Sequence, residues 1–336
     1  MRVEYAIIEK IRGDRMHRCK TRTTNRVMIE ETEYNQLEQR IGTPLFKDGL
    51  RMAKESIQLQ DFQEEVRVFH DTFTLPMKRN IFGLLVIEVY VNHVPCHFII
   101  DTGAQISGIR SQCMMNVNAS ETKGKLGVGS VGGKEQVVKG CRVDSLQIGG
   151  LEYINKAMIV LDKKTFSIGF GNIDLMNFDG ILGWDVLSTL DFEMDDIAKE
   201  FKVLKNVYRF PCKNMIAGSF PVFLCKNGKK ETKVFGFDSG SKVSWLNEDW
   251  VKEEKLDVVA TGQALGFGVH GIERLPMKII DTCTLYLDRG EITLTDTMTG
   301  RCNLFDHFTF DGVFGNQIFK GRRIRIVNSK QVVLLV

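Results

Sequence analysis

The feature that most constrains this chain is an internal repeat: the stretch from about 72 to 205 returns, in order, from about 206 to 336. The apolar run Phe98-Ile99-Ile100 leads into Asp101-Thr102-Gly103-Ala104. Val234-Phe235-Gly236-Phe237 leads into Asp238-Ser239-Gly240-Ser241, 137 positions later (238 − 101). Gly127-Val128-Gly129-Ser130-Val131-Gly132 recurs as Gly266-Phe267-Gly268-Val269-His270-Gly271 at an offset of 139 (266 − 127). Phe178-Asp179-Gly180-Ile181-Leu182-Gly183 recurs as Phe310-Asp311-Gly312-Val313-Phe314-Gly315, and Leu190-Asp191-Phe192-Glu193-Met194 as Arg322-Arg323-Ile324-Arg325-Ile326, both at 132 (310 − 178; 322 − 190). Four landmarks in one order, with offsets drifting by a few residues, read as a duplicated domain rather than as chance motifs.

The repeated unit is β-rich. Short apolar runs such as Ile81 to Val91 are punctuated by Gly, Asn and Pro, the pattern of an all-β domain. With 336 residues the chain exceeds one typical domain, so either half can bury its own core. Residues 1–70 read differently, as a small mixed α/β extension, with a short strand around Val3–Ile8 and helices over Thr32–Ile41 and Asp48–Leu59. The expected organisation is therefore an extension (1–70), a first lobe (72–205) and a second lobe (206–336).

Each Asp stands at the tip of a buried apolar strand, followed by a small hydroxyl residue and a Gly. The Gly permits a tight turn and, lacking a Cβ, lets a second loop pack closely. The duplication supplies that second loop, so a pseudo-two-fold axis would set Asp101 beside Asp238. Like charges so close in a desolvated site cannot both ionise, and the pair holds one shared proton. One carboxylate can then draw a proton from a bound water while its protonated partner donates to a developing oxyanion. A single Asp-Thr-Gly is an ordinary turn in many proteins, with the Asp bonding its own backbone. Two copies in matched apolar contexts argue for paired function, because an ionisable group at a buried strand end is costly otherwise.

Asp101-Thr102-Gly103-Ala104 and Asp238-Ser239-Gly240-Ser241, each with a later apolar-apolar-Gly element, resemble the motifs of retropepsin-like aspartic peptidases. The similarity covers about residues 72–336, and Gly183-Trp184-Asp185-Val186-Leu187 resembles that family's glycine-led helix start. The resemblance implies a mainly β fold of two similar acid-protease barrel lobes, with Asp101 and Asp238 catalytic. It implies too that Thr102 and Ser239 cross-bond the loops, with Gly103, Ala104, Gly240 and Ser241 supporting them, and that Gly183 and Gly315 close each lobe's core. Gly127, Gly129 and Gly132, and Gly266, Gly268 and Gly271, fit pliant hairpins closing over an extended substrate. The alternative for each is a plain glycine-rich hairpin. A hydroxyl at 241 can hydrogen-bond the neighbouring carboxylate whereas Ala104 cannot, so activity is expected nearer neutral than strongly acidic pH.

Other readings of these motifs fail on context. Gly-x-Gly-x-x-Gly as a dinucleotide site needs a flanking strand and helix, and β-type runs surround it here. His93, Cys96 and His97 fall on an expected strand, where alternate residues face opposite ways, so no metal site is expected. Lys+Arg 45 against Asp+Glu 42 gives +3, too slight an excess to indicate nucleic acid or a membrane surface. There is no apolar leader or spanning run, and the 8 cysteines are expected to be reduced in a cytoplasmic protein. No cofactor is required, and one chain supplies both halves of the site, so a monomer suffices. Residues 1–22 carry a local +4 (seven basic, three acidic), and the extension admits three readings: inhibitory prosegment, accessory domain, or cap on the first sheet. The functional expectation is an endopeptidase acting on peptide or protein substrates. The competing reading is a non-catalytic module that holds an extended peptide in the same cleft.

Overall fold

The computed structural model describes residues 27–58, 62–129, 135–162, 177–205, 209–268, 271–300 and 308–336, together with the short strands Ile7–Ile8, Cys19–Lys20, Gly169–Phe170, Ile173–Asp174 and Asn303–Phe305. The chain is mainly β, with barrel-like sheets, as the alternation of short apolar runs and turn residues leads one to expect.

Two helices follow the short strand Cys19–Lys20. Helix α1 (Glu31–Ile41) agrees with the sequence reading, whereas α2 (Pro44–Gln58) begins four residues earlier than expected. Pro44 suits a first helical position, where its missing N–H costs nothing, and the Thr43 hydroxyl accepts the Phe46 N–H at 3.3 Å. Helix α1 buries Tyr34 and Ile41 against Phe220, Val222 and Phe310 of the second half, and the Tyr34 hydroxyl donates to the Met215 carbonyl at 3.0 Å.

The first sheet contains β1 (Glu65–Val68), β2 (Phe73–Arg79), β3 (Leu85–Val91), β4 (Val94–Ile100), β5 (Gly108–Arg110), β6 (Ser120–Gly129), β7 (Glu135–Ile148), β8 (Leu151–Leu161) and β9 (Gly180–Leu182). Strand β3 is antiparallel to β2 and β4, and β4 runs parallel to β9, with Phe98 opposite Gly180 and Ile100 opposite Leu182. From β9 the order continues through β5 and β8 to the β7–β6 hairpin, and β3 also pairs with β7, which curls the sheet back on itself. The apolar run from Ile81 does not form one strand. Asn80 Oδ1 accepts the Phe82 and Leu84 N–H groups at 3.0 Å each and Gly83 takes a φ of +83°, so residues 80–84 turn and β3 starts at Leu85. Likewise His93 is not a strand residue: Asn92 and His93 have φ of 47° and 68° and form the two-residue turn between β3 and β4.

The second sheet is built from β12 (Val222–Asn227), β13 (Thr232–Phe237), β14 (Trp245–Asn247), β15 (Val258–Gly268), β16 (Gly271–Leu287), β17 (Gly290–Gly300) and β18 (Gly312–Phe314). Here β13 is antiparallel to β12 and parallel to β18, and β18 leads through β14 and β17 to the β16–β15 hairpin. This is the order of pairings seen around β4.

Beyond β2 the first sheet continues as an antiparallel set that draws strands from both halves of the chain: β2, β11 (Glu200–Leu204), β10 (Asp191–Asp195), β19 (Arg323–Val327) and β20 (Val332–Leu335). The repeated segments at 190–194 and 322–326 thus pair with each other, Phe192 opposite Ile326. The described strands of the extension join the two sheets. Strand β1 adds to β8, Ile7–Ile8 adds to β15, and Cys19–Lys20 adds to β17.

Candidate functional site

Strands β4 and β13 each carry an Asp just past their last residue. Phe98, Ile99 and Ile100 have 0% exposure and lie between β3 and β9, so the strand end, and Asp101 with it, is held inside the protein. The Asp101 N–H donates to the Leu182 carbonyl at 3.0 Å and the Asp238 N–H to the Phe314 carbonyl at 2.9 Å, anchoring both loops to the neighbouring parallel strand. Each loop then turns: Ala104 N–H donates back to the Asp101 carbonyl at 3.3 Å, and Ser241 N–H to the Asp238 carbonyl at 3.1 Å.

The two loops are bonded reciprocally. Thr102 N–H donates to Ser239 Oγ at 3.0 Å and Ser239 N–H to Thr102 Oγ1 at 2.9 Å; Thr102 Oγ1 donates to the Phe237 carbonyl and Ser239 Oγ to the Ile100 carbonyl, both at 2.9 Å. Both hydroxyls therefore donate and accept with no proton left unused. The approach is so close that a Cβ added to Gly103 would lie 2.5 Å from Asp238 Cγ, and one on Gly240 would meet the Asp101 carboxyl in the same way. Only glycine fits at either position. The geometry thus brings Asp101, Thr102, Gly103 and Ala104 together with Asp238, Ser239, Gly240 and Ser241 across 137 residues of sequence.

Burial is the largest influence on Asp101 and raises its pKa to about 6, against a hydrogen bond with Asp238 and the Gly103 and Ala104 N–H groups on its Oδ1 (2.9 and 3.0 Å), which pull it down. A carboxyl so placed keeps its proton up to about pH 6, well above the ordinary carboxylate range, the state in which two adjacent carboxyls share one. The Ser241 hydroxyl does not take the role expected for it. It donates to the Val243 carbonyl at 2.8 Å, so its proton is committed away from the Asp238 carboxylate.

Behind the Asp101 loop, the Ser107 hydroxyl accepts the Gly183 N–H at 3.0 Å and donates to Asp185 Oδ1 at 2.7 Å, while Trp184 and Asp185 N–H groups donate to the Ala104 and Gln105 carbonyls. Asp185 Oδ2 lies 2.6 Å from Lys156 Nζ, which has 0% exposure and is also 3.2 Å from Glu64. On the other side Ser244 Oγ accepts the Gly315 N–H at 3.0 Å, but Asn316 replaces the ionic brace. Its amide donates to the Ser239 carbonyl at 3.2 Å and accepts from Arg79 at 2.7 Å, and Arg79 in turn pairs with Asp196 at 2.8 Å. Arg79, on β2, so ties the first half of the chain to the second Asp loop. These bracing residues escaped the sequence reading. Ser107 and Ser244 were detectable, each standing six residues after its Asp, whereas Lys156 and Arg79 carry no spacing signal.

The glycine motifs lie on hairpins. Gly127 and Gly129 are in β6, opposite Val137 and Glu135 of β7; Gly266 and Gly268 are in β15, with Gly268 opposite Gly271 at the start of β16. Gly132 lies outside the described residues. Cys96 is buried in β4 while His97 beside it is exposed, and among the described residues no group of three or more His, Cys, Asp or Glu is placed to hold a metal ion. Cys96, Cys113, Cys141, Cys212, Cys225 and Cys283 are free thiols.

Residues 87–189 match the family of gag-polyprotein putative aspartyl proteases, so the resemblance to retropepsin-like aspartic peptidases holds for the part of the chain carrying the first Asp loop and its brace. Among solved structures, a retropepsin-like aspartic protease from Rickettsia conorii aligns with 19% identity over 42% of this chain and 94% of its own, at a TM-score of 0.26. A comparison with curated proteins gives no match.

Proposed function

We propose that the protein is an aspartic endopeptidase whose Asp101 and Asp238 form one catalytic dyad at the junction of two duplicated lobes. The observation that carries this reading is the mutual fit of the two loops: each Asp carboxyl sits against the other loop's glycine, and Thr102 and Ser239 exchange hydrogen bonds. An ordinary Asp turn has no use for a second, reciprocally bonded copy. In this reading the pair holds one proton at working pH. The ionised carboxylate takes a proton from water as that water attacks the peptide carbonyl, and the protonated one stabilises the oxyanion and then helps protonate the departing nitrogen. The β6–β7 and β15–β16 hairpins would cover an extended peptide and shed water from the site. No helix among the described residues is long and apolar enough to cross a membrane, and the dyad chemistry needs a single chain. Cleavage of a peptide library by the wild type, lost in both Asp101→Asn and Asp238→Asn, is the expected result; cleavage retained by either variant would remove the dyad.

A further inference from the structure

Helix α2 plays no part in the dyad, yet it packs on strands β6, β7 and β8 of the first sheet. Ala104 and Ile106 follow Asp101 by three and five residues, Val128 is on the hairpin strand β6, and Ile181 is on β9 beside the Asp101 strand. These four belong to a larger buried apolar cluster of the first half of the chain, with Leu84, Val86, Ile99, Ile159 and Phe178, that also takes in Ala53 and Ile57 of α2, and Leu50 packs on the same cluster. Positions 50, 53 and 57 share one helix face, so α2 presents a continuous apolar stripe to this surface.

Polar contacts fix the helix at both ends. Thr122 of β6 donates its hydroxyl proton to the Ile57 carbonyl at 3.0 Å, and a Cβ on Gly124 would strike that same carbonyl. At the other end Ser219, in the second half of the chain, accepts the Leu50 N–H at 3.0 Å and donates to the Phe46 carbonyl at 2.8 Å. Gly49 between them sits against Ser219 and Gln105. Lys54 adds an ion pair to Glu64 at 3.4 Å, the carboxylate that also reaches Lys156 behind the Asp101 loop. Asp101 is 0% and Asp238 4% exposed.

We infer that α2 is an intramolecular occupant of the substrate groove, and that the surface it covers, Ala104, Ile106, Val128 and Ile181, is a subsite for apolar side chains of an extended peptide. This rests on the reading of Asp101 and Asp238 as the dyad. The occupant acts through apolar side chains at 50, 53 and 57, not through the basic charge of residues 1–22. A substrate competes with the helix, and affinity scales with the fraction of molecules whose groove is open.

Two full-length variants test it from opposite sides of the contact: Ala53→Glu, which sets a charge on the apolar stripe, and Gly124→Ala, which adds one methyl against the Ile57 carbonyl. The probe is a fluorescent octapeptide with Leu, Ile and Val flanking a central bond reduced to CH2–NH, its binding followed by anisotropy, with amide hydrogen exchange of residues 44–58 measured alongside. Faster exchange in α2 and at least about tenfold tighter binding in the variants are expected. Faster exchange with unchanged or weaker binding would overturn the inference. If Ala53→Glu loses its near-UV circular dichroism, Gly124→Ala alone decides. Turnover of the unmodified peptide separates the two proposals. Tighter binding in variants that never cleave supports the occupied groove and refutes catalysis, whereas cleavage by the wild type with no gain in either variant refutes the occupied groove only.

Discussion

Replacing Asp101 with Asn should stabilise the fold, and only above acidic pH. Burial holds the Asp101 carboxyl at about 6 against an ordinary 3.8. In the folded protein the group therefore keeps its proton through a pH range where the unfolded chain has lost it. Stability contributed by this raised pKa is fully present below about 4 and is lost as pH rises through about 6. That gap, at ~1.4 kcal/mol for each pKa unit, comes to about 3 kcal/mol by pH 8. Asparagine never ionises. Its carbonyl oxygen can still accept the Gly103 and Ala104 N–H groups, and its amide can donate to Asp238. Urea unfolding of wild type and Asp101→Asn at pH 4 and pH 8 should give a difference near zero at the lower pH and a gain of about 2–3 kcal/mol at the higher. An equal difference at both would refute the claim that burial holds a proton on Asp101.

Gly240→Ala places a methyl against the Asp101 carboxyl and forces the loops apart, so peptide cleavage should fall by about 100-fold or more while circular dichroism stays native; near wild-type kcat/KM would contradict the loop fit. Lys156→Met strips Asp185 of its buried cation and should cost about 3–5 kcal/mol in urea unfolding, a large part of it recovered in Lys156→Met/Asp185→Asn. A loss below about 1 kcal/mol would mean that the pair braces nothing. The shared proton departs as pH passes about 6, so kcat/KM should decline above that value; a rate that climbs steadily as the pH is lowered to 3 would exclude this form of the dyad.

Much of the β architecture was legible because apolar runs punctuated by Gly, Asn and Pro leave few alternatives, and because the Asp loops, glycine motifs and apolar-Gly elements recur in one order. What pattern could not supply was anything decided by a single side chain bonding its neighbours. Asn80 and Gly83 turn the chain inside an apolar run that reads as strand. Thr43 and Pro44 begin α2 a turn early. Ser241 spends its hydroxyl on Val243 rather than on the carboxylate beside it. The braces behind the loops differ for the same reason: Asp185 with Lys156 on one side and Asn316 with Arg79 on the other are long-range partners, 29 and 237 residues apart (185 − 156; 316 − 79), and no local periodicity links them. Residues 1–70 offered no motif, and the described parts of them are placed by contacts with both sheets.

The central claim is that one water-activating dyad is made from Asp101 and Asp238. Its most direct test is cleavage of a diverse peptide library across pH 4–8 by the full chain, beside Asp101→Asn and Asp238→Asn variants of unchanged circular dichroism. The account predicts cleavage by the wild type and its loss in each single variant. Turnover that survives in either one would contradict it.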